Sequence, residues 1–212
     1  MDGISIGHNN SKIELHLVMG PMFAGKSTAL INKVAELIQN GVAMEDILLV
    51  NHSSDSRYDT NKICSHNGNK LDSQSLAHLN QLLTKPQHLN ILETKKYLLI
   101  DEAQFFTDLY DTILEIIKSS VMIKKDLTIW VFGLDGDFQQ KPFQNGSRLL
   151  ELIPYASTIT KLQARCYICN NSAPFSKRLV SSVEQILVGG TNIYQPSCVL
   201  HLAMTNDTFP TL

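Results

Sequence analysis

The sequence predicts an α/β fold, in which helices flank a parallel sheet, followed by a small zinc-binding domain at the C-terminal end. Short apolar runs alternate with segments of helical periodicity over the first 160 residues, as expected for strands joined by helical crossovers. A glycine-containing loop joins the first strand to the first helix. Two Cys-x-x-Cys/His pairs flank a later, loop-rich segment. We therefore expect one domain over residues 1–160, with residues 1–12 disordered, and a second over residues 161–212.

Short apolar or alternating runs define the predicted strands. In the first domain these runs cover residues 13–19, 47–50, 97–100 and 127–132. In the second domain shorter runs cover residues 177–180 and 185–188. The carboxyl ends of parallel strands form the edge of the sheet where ligands bind, so the polar clusters that follow these strands are expected to meet there.

Helical spacing of apolar residues defines the predicted helices. One helix follows the glycine loop and ends at Asn40-Gly41, a second covers residues 108–119, and the segment 71–83 is weakly helical. The polar segment 51–69 is predicted to be a long loop, and no helix is predicted after residue 160.

The composition argues against several classes of protein. With 43% hydrophobic and 18% charged residues, the chain is an ordinary soluble globular protein. A formal net charge of −2 argues against a nucleic-acid partner, and no apolar stretch is long enough to cross a membrane. The first residues lack a signal-peptide pattern, so a cytoplasmic location is expected. In that reducing compartment the four cysteines favour metal binding or free thiols, and Cys64 is interpreted as a free thiol.

The glycine loop has the pattern of a phosphate-binding loop, or P-loop. Its sequence, Gly-Pro-Met-Phe-Ala-Gly-Lys-Ser-Thr, satisfies G-x-x-x-x-G-K-[ST] between a predicted strand and a predicted helix. Backbone N–H groups and the helix N-terminus attract phosphate, while Lys26 adds a positive charge and Ser27 a hydroxyl for magnesium. The alternative is a chance match to the motif, and the strand and helix predicted on either side of the loop argue against it. The residues expected to contact ATP here are Gly20, Pro21, Met22, Phe23, Ala24, Gly25, Lys26 and Ser27.

Two carboxylates directly follow the predicted strand 97–100. Asp101 stands where a carboxylate often holds the magnesium ion of a bound nucleotide, together with the hydroxyl of Ser27. Glu102 is a candidate general base, because phosphoryl transfer to a hydroxyl benefits from a carboxylate close to the attacking oxygen. The alternative is that either carboxylate only caps the helix beginning near Asp108.

Four residues near the C-terminal end have the spacing of zinc ligands: Cys166, Cys169, Cys198 and His201. One pair alone would be weak evidence, because a small loop can bury cysteine or histidine without a metal. The two pairs together flank a segment too small for its own core, which needs a metal to hold its shape. Four protein ligands leave no open position, so we expect a structural zinc ion.

Residues 135–143 combine polar and aromatic side chains after the strand 127–132. Aromatic rings such as that of Phe138 could stack on a nucleobase or could simply cover the edge of the sheet. On composition alone the second interpretation is favoured, because aromatic residues are common in cores.

Taken together, these motifs resemble the type II (cytosolic) thymidine kinase family. The matching segments are Gly-Pro-Met-Phe-Ala-Gly-Lys-Ser-Thr at 20–28, Asp-Ser-Arg-Tyr at 55–58, Asp-Glu-Ala-Gln-Phe-Phe at 101–106 and Leu-Asp-Gly-Asp-Phe-Gln-Gln-Lys-Pro-Phe at 134–143. They continue with Cys-Tyr-Ile-Cys at 166–169, Ser-Lys-Arg at 176–178, Val-Gly-Gly at 188–190, Tyr194 and the closing metal pair. Such a set, spread over nearly the whole chain, is far more specific than a phosphate loop alone.

The resemblance implies a P-loop parallel sheet and a zinc-bearing lasso domain that closes over a nucleoside. It makes Glu102 the base that acts on the 5′-hydroxyl. It adds Asp55, Ser56, Arg57, Asp101 and Gln104 to the ATP site. It assigns nucleoside contacts to Met22, Phe105, Leu134, Phe138, Gln185, Ile186, Leu187, Val188, Gly189 and Tyr194, which reverses the interpretation of Phe138 given above.

The implied activity is magnesium-dependent transfer of a phosphoryl group from ATP to thymidine or deoxyuridine. A homotetramer and feedback inhibition by thymidine triphosphate are implied by the resemblance alone. The alternatives are a P-loop ATPase or nucleotide switch with a zinc-ribbon interaction module, and a catalytically inactive binder. Three positions depart from the family pattern, with His201 in place of cysteine, Gln140 in place of arginine and Ala103 in place of glycine.

Overall fold

A computed structural model describes residues 11–54, 62–64, 70–84 and 94–204 of the chain. The strands of this part are β1 (Ile13–Met19), β2 (Ile47–His52), β3 (Lys62–Cys64), β4 (Lys70–Asp72), β5 (Gln74–Leu76), β6 (Tyr97–Ile100), β7 (Leu127–Gly133), β8 (Thr158–Lys161), β9 (Ala164–Arg165), β10 (Ser172–Ala173), β11 (Phe175–Arg178) and β12 (Tyr194–Ser197). The helices are α1 (Lys26–Gln39), α2 (Gln81–Thr84), α3 (Leu109–Met122) and α4 (Val199–Ala203), with 3-10 turns at Met44–Asp46, Ala103–Phe105 and Leu149–Tyr155. None of the described helices is long and apolar enough to cross a membrane.

Six strands between residues 13 and 161 form one sheet, in the order β5-β2-β6-β7-β1-β8. Its strands are all parallel to their neighbours. The prediction of an α/β fold with a parallel sheet is therefore confirmed. Parallel strands require crossover connections, so all six carboxyl ends lie at one edge of the sheet.

Apolar layers cover both faces of this sheet. On one face Ile113 of α3 belongs to a buried cluster that also contains Leu98 and Ile100 of β6. On the other face Leu30 of α1 packs in a second cluster with Leu99, the residue between them. Neighbouring side chains of β6 thus enter opposite layers, as the alternation of a strand requires. The continuous apolar sequence of β6 follows from this burial on both faces.

The segment 71–83 differs from its weakly helical prediction. Its first part forms strands β4 and β5, and only Gln81–Thr84 is helical. Leu76, Leu79 and Leu82 are all buried, and their spacing of three residues imitates the apolar face of a helix. Pairing of β5 with the edge of β2 decides the backbone instead, because tertiary contacts override weak local preference.

The region beyond residue 160 also differs in detail from the prediction. The predicted strand 177–180 is found as Phe175–Arg178, whereas residues 185–188 form no strand. A short helix, α4, occurs where none was predicted. Strand β8 spans the predicted domain boundary at residue 160 and pairs with β1 at the edge of the sheet.

Candidate active site

A cleft of about 520 Å³ opens at the carboxyl edge of the sheet. Its walls are formed by segments that follow β1, β6 and β7, by strand β3, and by the loop between β11 and β12. We call that last loop, residues 179–193, the lasso loop. Predicted site residues that line the cleft are Met22, Phe23, Gly25, Lys26, Ser27, Asp101, Glu102, Phe105, Leu134, Phe138, Gln185, Ile186, Leu187, Val188, Gly189 and Tyr194.

The remaining predicted residues have other positions. Gly20, Pro21 and Ala24 belong to the phosphate loop without lining the cleft, and Gln104 is fully buried. Asp55, Ser56 and Arg57 lie outside the described residues.

The phosphate loop is held in a narrow space between β1 and α1. A Cβ atom on Gly20 would lie 2.5 Å from the backbone oxygen of Leu162, so no larger residue fits without movement. Gly25 has a φ of 82°, in the left-handed region that favours glycine. The ammonium group of Lys26 donates hydrogen bonds to the carbonyls of Gly20 at 3.3 Å and Pro21 at 2.8 Å. These two bonds fix the ammonium group of Lys26 beside the phosphate loop.

Ser27 and Asp101 form the candidate magnesium site. The hydroxyl of Ser27 donates to a carboxylate oxygen of Asp101 at 2.9 Å, which places two oxygen ligands side by side. Magnesium binds oxygen ligands of this kind, so the pair fits the ion. Burial and the adjacent Glu102 raise the pKa of Asp101 to about 7, against hydrogen bonds that lower it. A bound cation would favour the ionised carboxylate.

Glu102 is oriented by its own backbone and by a buried amide. Its φ is 51° and only 9% of the residue is exposed. The side-chain amide of Gln104 donates to the Glu102 carboxylate at 2.6 Å and accepts the backbone N–H of Leu134 at 2.9 Å. Gln104 therefore links the carboxylate to the end of β7. Sequence reasoning placed Gln104 at the nucleotide and missed this orienting contact, which no sequence pattern signals.

Aromatic side chains also line the cleft, namely those of Phe105, Phe138 and Tyr194. The guanidinium of Arg178 stacks on the ring of Phe138, with its carbon 3.7 Å from the ring centroid. This contact supports the ring in its place beside the cleft. Arg178 was not predicted as a site residue, although it lies in the Ser-Lys-Arg motif.

Arg178 also holds the lasso loop. Its guanidinium donates to the backbone carbonyls of Ser182, Glu184 and Gln185, and to the hydroxyl of Tyr194. That hydroxyl in turn donates to the carbonyl of Leu187 at 2.8 Å. The loop is thus shaped by side-chain donors instead of a strand ladder, which explains why the predicted strand 185–188 is not found.

The four predicted zinc ligands converge, although they come from two separate segments of the chain. The ligand atoms of Cys166, Cys169, Cys198 and His201 all lie within 4.8 Å of one another. The sulfur atoms of Cys169 and Cys198 are 3.8 Å apart, and Cys198 Sγ is 3.3 Å from His201 Nδ1. Zinc–sulfur bonds of about 2.3 Å in a tetrahedron place two sulfur atoms about 3.8 Å apart. The donor set and its spacing therefore fit zinc.

The surroundings of this cluster also suit a metal. Burial raises the pKa of the Cys166 thiol, but backbone N–H groups, led by those of Cys169 and Cys198, lower it to about 6. The thiolate that zinc requires is therefore favoured at neutral pH. The apolar core here contains only small residues, and Ala24 of the phosphate loop packs against it. Such a core supplies little stability without a metal.

Comparison with known proteins decides the family. The sequence model of the thymidine kinase family matches residues 13–202. A thymidine kinase of Oryza sativa subsp. japonica is 35% identical over 89% of this chain and 65% of its own length. Thymidine kinase a of Arabidopsis thaliana is 33% identical over 88% of this chain and 74% of its own. A thymidine kinase of Myxoma virus (strain Uriarra) is 35% identical over 87% of this chain and 93% of its own.

The chain belongs to the thymidine kinase family. The predicted resemblance is confirmed, and so is the prediction of an enzyme of this family. The matched region includes the phosphate loop and all four candidate zinc ligands. The backbone N–H of Met22 in the phosphate loop donates a hydrogen bond to the hydroxyl of Ser176 in β11 at 2.9 Å.

Proposed function

We propose that the protein transfers the γ-phosphoryl group of ATP to the 5′-hydroxyl of thymidine or deoxyuridine. The observation that carries this proposal is the position of Glu102. It lines the same cleft as Lys26 and Ser27 and is oriented by Gln104, and aromatic side chains line this cleft as well. A carboxylate in one cleft with a phosphate loop is suited to activate a hydroxyl for phosphoryl transfer.

In the proposed reaction the loop N–H groups and Lys26 bind the phosphates of ATP. Ser27 and Asp101 would hold a magnesium ion, which neutralises charge on the phosphates when it is bound. Glu102 accepts the proton of the 5′-hydroxyl, whose oxygen forms a bond to the γ-phosphorus. The bond from that phosphorus to the β–γ bridging oxygen breaks, and ADP leaves.

The base is proposed to be read by the backbone of the lasso loop. The carbonyls of Gln185 and Leu187 are already occupied by Arg178 and Tyr194. Among the described residues, the backbone N–H groups of Ile186 and Val188 have no protein acceptor. Thymine offers carbonyl oxygens to such donors, whereas cytosine places an amino group at position 4. Deoxyuridine keeps both carbonyls and lacks only the methyl group.

A structural zinc ion is proposed at the four converging ligands. It would tie the start of the second domain to its end and so support the lasso loop between them. We also propose a cytoplasmic homotetramer with feedback inhibition by thymidine triphosphate, on the strength of the family resemblance.

A P-loop ATPase or nucleotide switch is the alternative function, and ATP turnover separates it from the proposal. ADP formation is measured with ATP and magnesium, with and without thymidine. We expect ADP formation to depend on thymidine and to match the thymidine monophosphate produced. Equal ADP formation without a nucleoside would support the ATPase and contradict the kinase.

A further inference from the structure

A second set of contacts joins the lasso loop to the segment that follows β7. The side-chain amide of Gln185 donates to a carboxylate oxygen of Asp137 at 2.7 Å and to the carbonyl of Pro142 at 3.2 Å. It also accepts the backbone N–H of Gln144 at 2.9 Å. Both amide donors are therefore used within the protein, although Gln185 lines the cleft.

Asp137 is held in place by hydrogen bonds that do not involve Gln185. Only 6% of the residue is exposed, and one carboxylate oxygen accepts the backbone N–H groups of Gln139 at 2.8 Å and Lys141 at 3.0 Å. The other carboxylate oxygen accepts the hydrogen bond from the side-chain amide of Gln185. Hydrogen bonds to a charged acceptor are stronger than neutral ones, so this contact is the main tie of the set.

We propose that Gln185 and Asp137 form a latch that holds the lasso loop over the cleft before the nucleoside binds. Gln185 is then a positioning residue, which sets the backbone of residues 186–189 and need not contact the base itself. A loop ordered in advance lowers the entropy lost on binding, so the latch should strengthen nucleoside binding more than it affects chemistry. This inference rests on the proposed function, since it requires that the cleft accept a nucleoside.

Exchange of the two functional groups tests the latch. Gln185→Glu places a second carboxylate against Asp137, so we expect the thymidine KM to rise about ten-fold or more, with kcat and the ATP KM little changed. Asp137→Asn alone should also raise the thymidine KM, because the new amide nitrogen would face the amide nitrogen of Gln185. Combining both substitutions restores a donor opposite an acceptor at this contact and should recover part of the lost affinity, while the carbonyl of Pro142 still lacks its donor.

Hydrogen exchange in the nucleotide-free protein gives a readout that needs no substrate. In Gln185→Glu the backbone amides of Gln144, Ile193 and Tyr194 should exchange faster, and the double variant should slow them again. Gln195→Glu is the matched control. It makes the same chemical change on β12, where the Gln195 side chain has no hydrogen bond within the described part of the chain.

The outcomes separate the latch from the proposed function. Unchanged thymidine KM and exchange rates in Gln185→Glu, or no recovery in the double variant, would overturn the latch. If the wild-type protein does not phosphorylate thymidine, the proposed function fails, while the exchange comparison still decides the latch. Gln185→Ala is a second variant, should Gln185→Glu fail to fold, and it should change the same quantities in the same direction by a smaller factor.

Discussion

At the scale of single residues, the reactive carboxylate depends on a neighbour that does not face the cleft. Glu102 carries the proposed base chemistry, and Gln104 determines where its carboxylate lies. The same amide is fixed by the backbone of Leu134, so the end of β7 is linked to the reacting group. A hydrogen-bonded chain of this kind orients a side chain at the moment of reaction without further cost.

Glu102→Gln should remove the base while keeping its size. We expect kcat to fall by about 10²–10⁴-fold, because the amide cannot accept the proton, while thymidine binding is largely kept. Steady-state kinetics with binding measured by calorimetry provide the check, with Glu115→Gln on the exposed side of α3 as control. Near-normal turnover in Glu102→Gln would remove Glu102 from the mechanism.

Gln104→Met should act only through Glu102. Loss of a hydrogen bond to a charged group is expected to lower kcat about ten-fold, with small effects on both KM values. The decisive comparison is the double variant with Glu102→Gln, in which Gln104→Met should have no further effect on kcat. An equal additional loss in that background would show that Gln104 has a separate role.

At the scale of elements, the phosphate loop and the zinc cluster support each other's position. Ala24 of the loop packs on the small core around Cys166 and Cys198, and the backbone N–H of Met22 donates a hydrogen bond to Ser176 of β11. Loosening the zinc cluster should therefore also disturb the phosphate loop, which lines the cleft.

Gly20→Ala should destabilise the protein, because its Cβ would lie 2.5 Å from a backbone oxygen and cannot be relieved by rotating a side chain. Overpacking of this kind costs about 1–3 kcal/mol in the free energy of unfolding. Chemical denaturation measures the change. Gly190→Ala is the control, since the nearest atom to its Cβ would be 3.9 Å away, and it should alter stability little. Equal stability of the two variants would contradict the packing argument.

His201→Ala should weaken metal binding and loosen the lasso loop. We expect purified wild-type protein to contain one zinc ion per chain, measured by elemental analysis, and the variant to contain less. The thymidine KM should rise more than the ATP KM, because the loop covers the nucleoside side of the cleft. His201→Cys keeps a ligand and should retain zinc. Active wild-type protein without zinc would contradict the structural role.

At the scale of the whole molecule, the sequence could predict the elements that carry local signals. The phosphate loop, Asp101 and Glu102 all follow apolar strands of the parallel sheet, so their meeting at one edge followed from topology. The contacts of Arg178 and Gln185 could not be predicted, because they join residues far apart in sequence through carbonyls that no pattern marks. Strand β8 was also missed, since its exposed, polar sequence resembles a loop.

The most direct test of the account compares nucleosides as phosphoryl acceptors. The ratio kcat/KM is measured at saturating ATP for thymidine, deoxyuridine and deoxycytidine. A lasso loop that presents N–H donors to thymine leaves buried donors facing the amino group of cytosine, and sites of this kind discriminate by about 10⁴-fold or more. The missing methyl of deoxyuridine should matter far less, by about 10–200-fold. We therefore predict that thymidine and deoxyuridine are phosphorylated and deoxycytidine is nearly inert. Equal kcat/KM for thymidine and deoxycytidine would contradict the account.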